Sequence, residues 1–161
     1  MNFETLSAVV VGGLISLATS IAYHAWDRRQ QRLSLQRMLK SEIQSVFSAT
    51  ERRQYEEKIR EIIRQYREGE ISEPYYRNFG LENRNILEIY KNNLGKIGLL
   101  PKDMASKVVI FYKMLQGVID DIVEIGDGGG GSPGNRADTL EADLELWQEI
   151  KQLGNVLVDN L

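Results

Sequence analysis

The sequence predicts an all-α protein in which one N-terminal transmembrane helix is followed by a cytoplasmic helical bundle. Two observations lead to this fold class. Residues 6–26 form an apolar run without Asp, Glu, Lys or Arg, and a helix that crosses a bilayer needs about 20 such residues. Downstream, apolar residues recur at helical spacing among charged ones, and the 161-residue chain has only three prolines, a composition that favours amphipathic helices.

The apolar run also predicts the topology. Residues 1–5 become an extracytoplasmic N-terminus and residues 6–26 the transmembrane helix. A cleaved signal peptide usually starts with Lys or Arg, whereas this chain starts with MNFET. Because the basic residues follow the run, the positive-inside rule predicts a single-pass protein of the cell (inner) membrane, with its N-terminus out and its body in the cytoplasm.

Aromatic and basic side chains at the end of the run are expected to lie at the lipid headgroups. Aromatic rings favour the membrane interface, and arginines just beyond it set topology and attract anionic lipid. The lipid bilayer is therefore an expected partner. The residues concerned are Tyr23, Trp26, Arg28, Arg29 and Arg32.

Small and weakly polar residues share one face of the run and predict self-association. At 100° per residue they lie on one arc, and small residues let helix backbones approach closely inside a membrane. We therefore expect a homo-oligomer, and a ring pore lined by the same face is the alternative. The face consists of Ala8, Gly12, Gly13, Ser16, Thr19, Ser20 and His24.

Residues 27–125 are predicted to form the helical body. Residues 27–47 contain no Gly or Pro and are expected to continue the first helix as one rod. A capping-box spacing from Ser48 to Glu51 then predicts the start of a new helix.

The middle of the body contains a break and the most apolar helix. Residues 70–81 read as an irregular loop that includes Tyr75 and Tyr76. The segment 102–125 is expected at the centre of the body because its apolar face is broad. The predicted core comprises Val108, Phe111, Tyr112, Leu115, Ile119, Leu144 and Trp147.

The C-terminal part begins with a glycine-rich segment. Residues 126–136 contain GDGGGGSPG, whose composition predicts a flexible loop. A phosphate-binding loop is disfavoured because no Gly-Lys-Ser/Thr follows it. Residues 137–161 are predicted as an amphipathic helix that packs on the body. We expect its acidic face to be exposed: Asp138, Glu141, Asp143, Glu145 and Glu149.

The residue inventory argues against catalysis. The chain has no cysteine and one histidine, so disulfides, thiolate zinc sites and a Cys nucleophile are excluded. We therefore predict no enzyme activity, catalytic residue, cofactor or metal. Nucleic-acid binding is not expected either, because acidic residues alternate with basic ones along residues 51–67.

The chain resembles two groups of membrane proteins that have one membrane helix followed by a helical body. The block from Ile89 through IGLLP at residues 97–101 to Val108-Val109-Ile110-Phe111-Tyr112 resembles a block of uncharacterised small bacterial proteins with one membrane helix and a helical body. The overall layout is similar to that of pore-forming membrane accessory proteins of RNA-targeting CRISPR systems. Some of these are compared with the HEPN ribonuclease fold, but its Arg-x4-6-His motif is missing because no His follows His24.

These inferences predict a membrane-anchored, self-associating interaction or scaffold protein without its own catalysis. A ring pore or membrane-perturbing effector of antiphage defence is the first alternative. The second is a monomeric recruiter of a cytosolic protein partner, which would bind the tyrosines of the 70–81 loop or the acidic final helix.

Overall fold

The computed structural model describes residues 3–71 and 87–161, with side chains from Val11 onward in the first range. Within these ranges the protein is an all-α helical bundle, as its sequence predicts. The helices are α1 (Phe3–Arg52), α2 (Tyr55–Arg67), α3 (Glu88–Asn92), α4 (Lys102–Gly126) and α5 (Pro133–Asn160), and a 3-10 helix (Leu94–Leu99) lies between α3 and α4.

The prediction of a transmembrane helix is wrong. In the part of the chain that the structure describes, no helix combines the length and the apolar character that crossing a membrane requires. α1 continues without interruption from the apolar run into the charged residues Asp27, Arg28 and Arg29. The predicted single-pass localisation in the cell membrane is corrected with it, and residues 1 and 2 of the predicted outer N-terminus lie outside the described residues.

The first helix is longer than predicted at its C-terminal end. α1 is a single helix of 50 residues, so the expected rod is present, but the helix start predicted at Ser48 is wrong. Thr50 Oγ1 donates a hydrogen bond of 2.8 Å to the carbonyl oxygen of Phe47, a bond that is compatible with a continuing helix. The chain turns instead at Gln54, which has a left-handed backbone (φ 51°).

The main core lies where the C-terminal half of α1 meets α4 and α5. Phe47 contacts the rings of Phe111 and Trp147 edge to face, with centroids 6.2 and 6.1 Å away. Six of the residues expected in the core are buried, and Ile119 is half-buried against the same cluster. A second cluster joins α2 to the N-terminal half of α5 and includes Ile62, Tyr66 and Leu140.

The glycine-rich connection is shorter than predicted. α4 includes Gly126, and α5 starts at Pro133 with Ser132 as its N-cap, a favourable Ser-Pro start. Arg136 is buried and donates hydrogen bonds of 2.9 Å to the Gly129 carbonyl and 3.1 Å to the Gly128 carbonyl. The connection therefore has a defined hydrogen-bonded turn.

A glycine in α5 permits close helix packing and gives a stability prediction. A Cβ at Gly154 would lie 2.8 Å from Phe111 Cε2 and would also overlap the Phe47 ring. We expect Gly154→Ala to lower the free energy of unfolding by about 1–3 kcal/mol, because overpacking outweighs the better helix propensity of Ala. Urea denaturation measures the change.

Gly117 provides the matched control for that substitution. It lies within α4, and a Cβ there meets no atom within 4 Å. Gly117→Ala is therefore expected to be neutral or to stabilise by up to about 1 kcal/mol. Equal effects of the two substitutions would show that close packing at Gly154 is unimportant.

Candidate functional site

The N-terminal half of α1 contributes nothing to the core. None of residues 11–34 is buried, and Leu35 is the first buried side chain of the helix. We call residues 11–34 the arm; at 1.5 Å per residue it is about 36 Å long. Its isolation is the most unusual feature of the described fold, because it leaves a long helical surface without a partner from the bundle.

Large apolar side chains of the arm are exposed. Val11 is 54% exposed and Tyr23 62%, and the others fall between these values. Such exposure is what a helix without neighbours shows, whereas soluble monomers rarely expose a contiguous apolar patch of more than a few hundred Å². The set comprises Val11, Leu14, Ile15, Leu17, Ile21, Tyr23 and Trp26.

The predicted small-residue face also lies open on the arm. Gly12, Gly13, Ser16, Thr19, Ser20 and His24 are exposed, and the side chain of Ala8 lies outside the described residues. A Cβ built on Gly12 or Gly13 meets nothing within 4 Å. Thr19 Oγ1 donates to the Ile15 carbonyl oxygen at 2.8 Å. No described element covers this face.

The residues predicted at the lipid headgroups lie in the C-terminal half of the arm. The Tyr23 ring lies 6.0 Å from that of His24 and 6.3 Å from that of Trp26, centroid to centroid. Arg28 and Arg29 are exposed and Arg32 is half-buried. Their predicted role in setting membrane topology depended on the transmembrane helix, and it is corrected together with that helix.

A second candidate site is a cavity of about 520 Å³ at the junction of the helices. Its walls are mostly apolar and come from α1, α2, α3, α4 and α5. The helical spacing of these side chains predicts that each lies in a core. It does not predict the cavity between them. The apolar lining consists of Val46, Ala49, Ile59, Ile89, Leu115, Val118, Ile119, Ile122, Leu144 and the ring of Trp147.

The cavity contains a buried carboxylate that was predicted to be exposed. Asp143 is only 4% exposed, and among the described residues its Oδ2 has no hydrogen-bond partner. Burial, followed by the nearby carboxylate of Asp121, raises the pKa of Asp143 to about 7. The prediction of an exposed acidic face on α5 is therefore wrong at this position.

Other members of that acidic face have different roles. Arg67 Nη2 on α2 lies 2.5 Å from Asp138 Oδ1 and 3.0 Å from Glu141 Oε2. These ion pairs connect α2 to α5, although exposed pairs contribute little to stability. Glu145 and Glu149 are exposed.

Glu56 lies at the edge of the cavity and joins α2 to α5. Its carboxylate accepts hydrogen bonds from Trp147 Nε1 at 3.0 Å, Gln148 Nε2 at 3.1 Å and Lys151 Nζ at 2.5 Å. Burial raises the pKa of Glu56, but the bonds from Lys151 and Gln148 outweigh it, and the pKa is lowered overall. Glu56 is therefore charged, and its carboxylate oxygens already have hydrogen-bond donors within the protein.

Glu42 is a second buried acid that sequence reasoning missed. It accepts hydrogen bonds from the backbone N–H groups of Ile89 at 2.7 Å and Tyr90 at 3.1 Å, and from the Tyr112 hydroxyl at 2.7 Å. The Tyr90 and Tyr112 rings stack with centroids 4.0 Å apart. Burial and then the bond to Glu42 raise the pKa of Tyr112. Glu42 thus fixes the first turn of α3 against α1 and α4.

The described side chains offer no grouping of three or more His, Asp or Glu residues suited to a metal ion. Comparison with protein-family models, with curated proteins and with solved structures finds no match. The resemblance of the residue 89–112 block to bacterial membrane proteins therefore stays a prediction. Within this block, Ile97 and Leu100 are buried, which fits a packing role.

Proposed function

We propose that this chain is a helical interaction protein that self-associates through the arm and has no chemistry of its own. The observation that supports the proposal is the exposure of the large apolar side chains of the arm. Burying apolar surface is the main favourable term in protein association. The proposed partner of the arm is the arm of a second copy of this chain.

The exposed apolar area sets the size of such a contact. Each large side chain exposes on the order of 100 Å², so the apolar set adds up to several hundred Å² on each copy. The side chains of Leu14, Leu17 and Ile21, which share one side of the helix, account for about 300 Å² of this area on each copy, so a contact formed by them alone belongs to the small, weak class of interfaces. A patch of that size is typical of an interaction surface.

The pattern of the arm favours a second copy over an unrelated partner. Leu14, Leu17 and Ile21 follow one another at spacings of three and four residues, as in the core positions of a coiled coil. No Asp, Glu, Lys or Arg occurs between Val11 and Trp26. Two arms can therefore lie side by side over this length without opposing like charges.

The apolar seam, defined as Leu14, Leu17 and Ile21, forms the contact in this proposal. Close approach of small residues drives association where lipid removes the hydrophobic effect. Against water, large apolar side chains gain more from burial. The small-residue face then lies beside or outside the contact.

Charged substitutions on the two faces test the proposal. Leu14→Glu with Leu17→Glu removes two buried side chains per copy, which weakens a dimer by about 6 kcal/mol or more and its affinity by about 10⁴-fold. We expect this double variant to be monomeric by sedimentation equilibrium. Ser16→Glu with Thr19→Glu adds the same charge to the face that points away from the seam and is expected to keep the assembly.

Two results would contradict this proposal in different ways. A monomeric wild-type chain at high concentration would refute self-association. Dissociation by the Ser16 and Thr19 substitutions together with tolerance of the leucine substitutions would move the contact to the small-residue face.

The recruiter alternative has no comparable support. Tyr75 and Tyr76, its first candidate surface, lie outside the described residues. On the acidic final helix, Asp138 and Glu141 already bind Arg67 and Asp143 is buried. The proposal therefore rests on the arm alone.

A further inference from the structure

The apolar seam of the arm faces the same side of α1 as the side chains that this helix buries in the bundle. Leu17 precedes Leu35 by 18 residues, and Ile21 precedes Leu39 by the same number. Since an α-helix has about 3.6 residues per turn, this spacing corresponds to about five full turns, and each pair lies in line along the helix. Leu35 and Leu39 are fully buried, whereas the seam is exposed. Beyond residue 34, the bundle therefore occupies the space that lies in line with the seam.

The 3-10 helix and α5 fill this space. Both contact α1, and their residues Ile97 and Leu157 belong to the same buried cluster as Leu35. α1 itself continues as one helix from the arm through this region to Arg52. A second helix that lay on the seam and continued in the same direction would therefore meet the 3-10 helix and α5.

A parallel pair of arms is not compatible with this arrangement. Helices that pack through residues spaced three and four apart cross at about 20°, with axes about 8–10 Å apart. From Leu17 to Leu35 the helix advances by about 27 Å, and over this length axes at that angle separate sideways by only about 9 Å. The α1 helix of a parallel partner would therefore overlap with the bundle of the first copy. An antiparallel partner places its own bundle at the opposite end of the pair and leaves this space free.

The charges of α1 favour the same orientation. Arg28 follows Ile21 by seven residues and Leu17 by eleven, so it lies in line with the seam. In a parallel pair Arg28 would face its own copy, and opposed like charges disfavour association. In an antiparallel pair centred near Leu17, Arg28 lies beside residues 3–10 of the partner arm. That segment contains Glu4 and no Lys or Arg.

We propose that two copies of this chain pair their arms antiparallel, with Leu14 of one copy opposite Ile21 of the other and with the two bundles at opposite ends of the pair. This inference rests on the proposed function, because it specifies how the partner arm is oriented. Both copies contribute the same seam, so the contact is self-complementary and closes at two copies.

The distance between two spin labels tests the orientation in the full-length chain. The chain has no cysteine, so the label of a Ser34→Cys variant, at an exposed position at the end of the arm, is the only one in each copy. The antiparallel pair separates the two labels by about 50 Å, whereas a parallel pair places them less than about 30 Å apart. Pulsed electron-electron double resonance measures this range. The shorter distance in a dimer would overturn the antiparallel orientation and leave self-association intact.

A label at Ser16→Cys is the matched control. Ser16 is exposed and lies close to the centre of the proposed contact, on the side of the helix away from the seam. The two labels are therefore less than about 30 Å apart in either orientation. Coupling at this position together with the long distance at Ser34→Cys supports the proposal. Lack of coupling at both positions would refute self-association, and with it the proposed function and this inference.

Mixed disulfides test the register independently. When Leu14→Cys chains and Ile21→Cys chains are mixed and oxidised, the antiparallel pair brings the two different positions together, with Cβ atoms about 4 Å apart. We expect the link between position 14 of one copy and position 21 of the other to predominate. Predominance of links between identical positions, 14 with 14 and 21 with 21, would overturn the proposal.

Discussion

Replacing Glu42 with Ala is expected to lower the free energy of unfolding by about 3–5 kcal/mol, because the substitution leaves three donors without their acceptor in a buried site. The donors are the backbone N–H groups of Ile89 and Tyr90 and the hydroxyl of Tyr112. The two backbone groups belong to the first turn of α3, whose positive end favours a carboxylate. The effect should therefore include loss of α3 from the bundle.

Urea denaturation and amide hydrogen exchange measure both consequences. Glu42→Gln keeps one acceptor oxygen and is expected to have an intermediate effect. Glu51→Ala removes an exposed acid from the same helix and should change stability by less than about 0.5 kcal/mol. A loss below about 1 kcal/mol in Glu42→Ala, with normal protection of the Ile89 amide, would contradict the role assigned to Glu42.

Asp143→Asn is expected to stabilise the protein above pH 7. Burial and Asp121 raise the pKa of Asp143 from 3.8 to about 7 in the folded state. Between these values the folded chain holds a proton that the unfolded chain has lost, so stability falls as pH rises. The stabilising contribution of the protonated acid is complete below pH 4 and lost above pH 7, and its full size is about 4 kcal/mol.

The asparagine variant should remove this pH dependence. At pH 8 we expect a gain of about 2–4 kcal/mol, because the neutral amide avoids a buried charge and can donate to Asp121. Thermal unfolding of both proteins from pH 4 to pH 8 provides the comparison, with Asp138→Asn as the exposed control. Parallel curves for the wild type and Asp143→Asn would show that Asp143 does not titrate in this range.

The spacing of apolar residues predicted the helical body correctly where one face of a helix is buried. The broad apolar face of α4 identified Phe111 and Tyr112 as core residues, and both are fully buried. The lack of Gly and Pro identified the continuity of α1. The same kind of local signal failed at Ser48, because a capping-box spacing also occurs inside a helix when tertiary contacts extend it.

The candidate sites depended on contacts that local sequence does not contain. Glu42 binds groups 47, 48 and 70 residues away. Asp143 lies at the meeting point of several helices. One signal was nevertheless present: Asp143 follows Leu140 by three residues and precedes Trp147 by four, which places an acid within an apolar stripe.

The apolar run at residues 6–26 led to a wrong prediction. An apolar stretch near the length of a bilayer led to a membrane helix, whereas the described helices include none that could span one. Hydropathy alone does not distinguish a helix that meets lipid from one that meets a second copy of itself. The apolar face of the arm is compatible with the second interpretation, on which the proposed function rests.

Cysteine scanning of the arm tests that function most directly. The chain has no cysteine, so a disulfide forms only between copies that bring the same introduced residue together, with Cβ atoms about 4 Å apart. Self-association through the seam predicts disulfide-linked dimers for one or more of Leu14→Cys, Leu17→Cys and Ile21→Cys, and little linkage for Ser16→Cys or Thr19→Cys. Absence of linkage at all five positions, or linkage only at Ser16→Cys and Thr19→Cys, would contradict self-association through the seam.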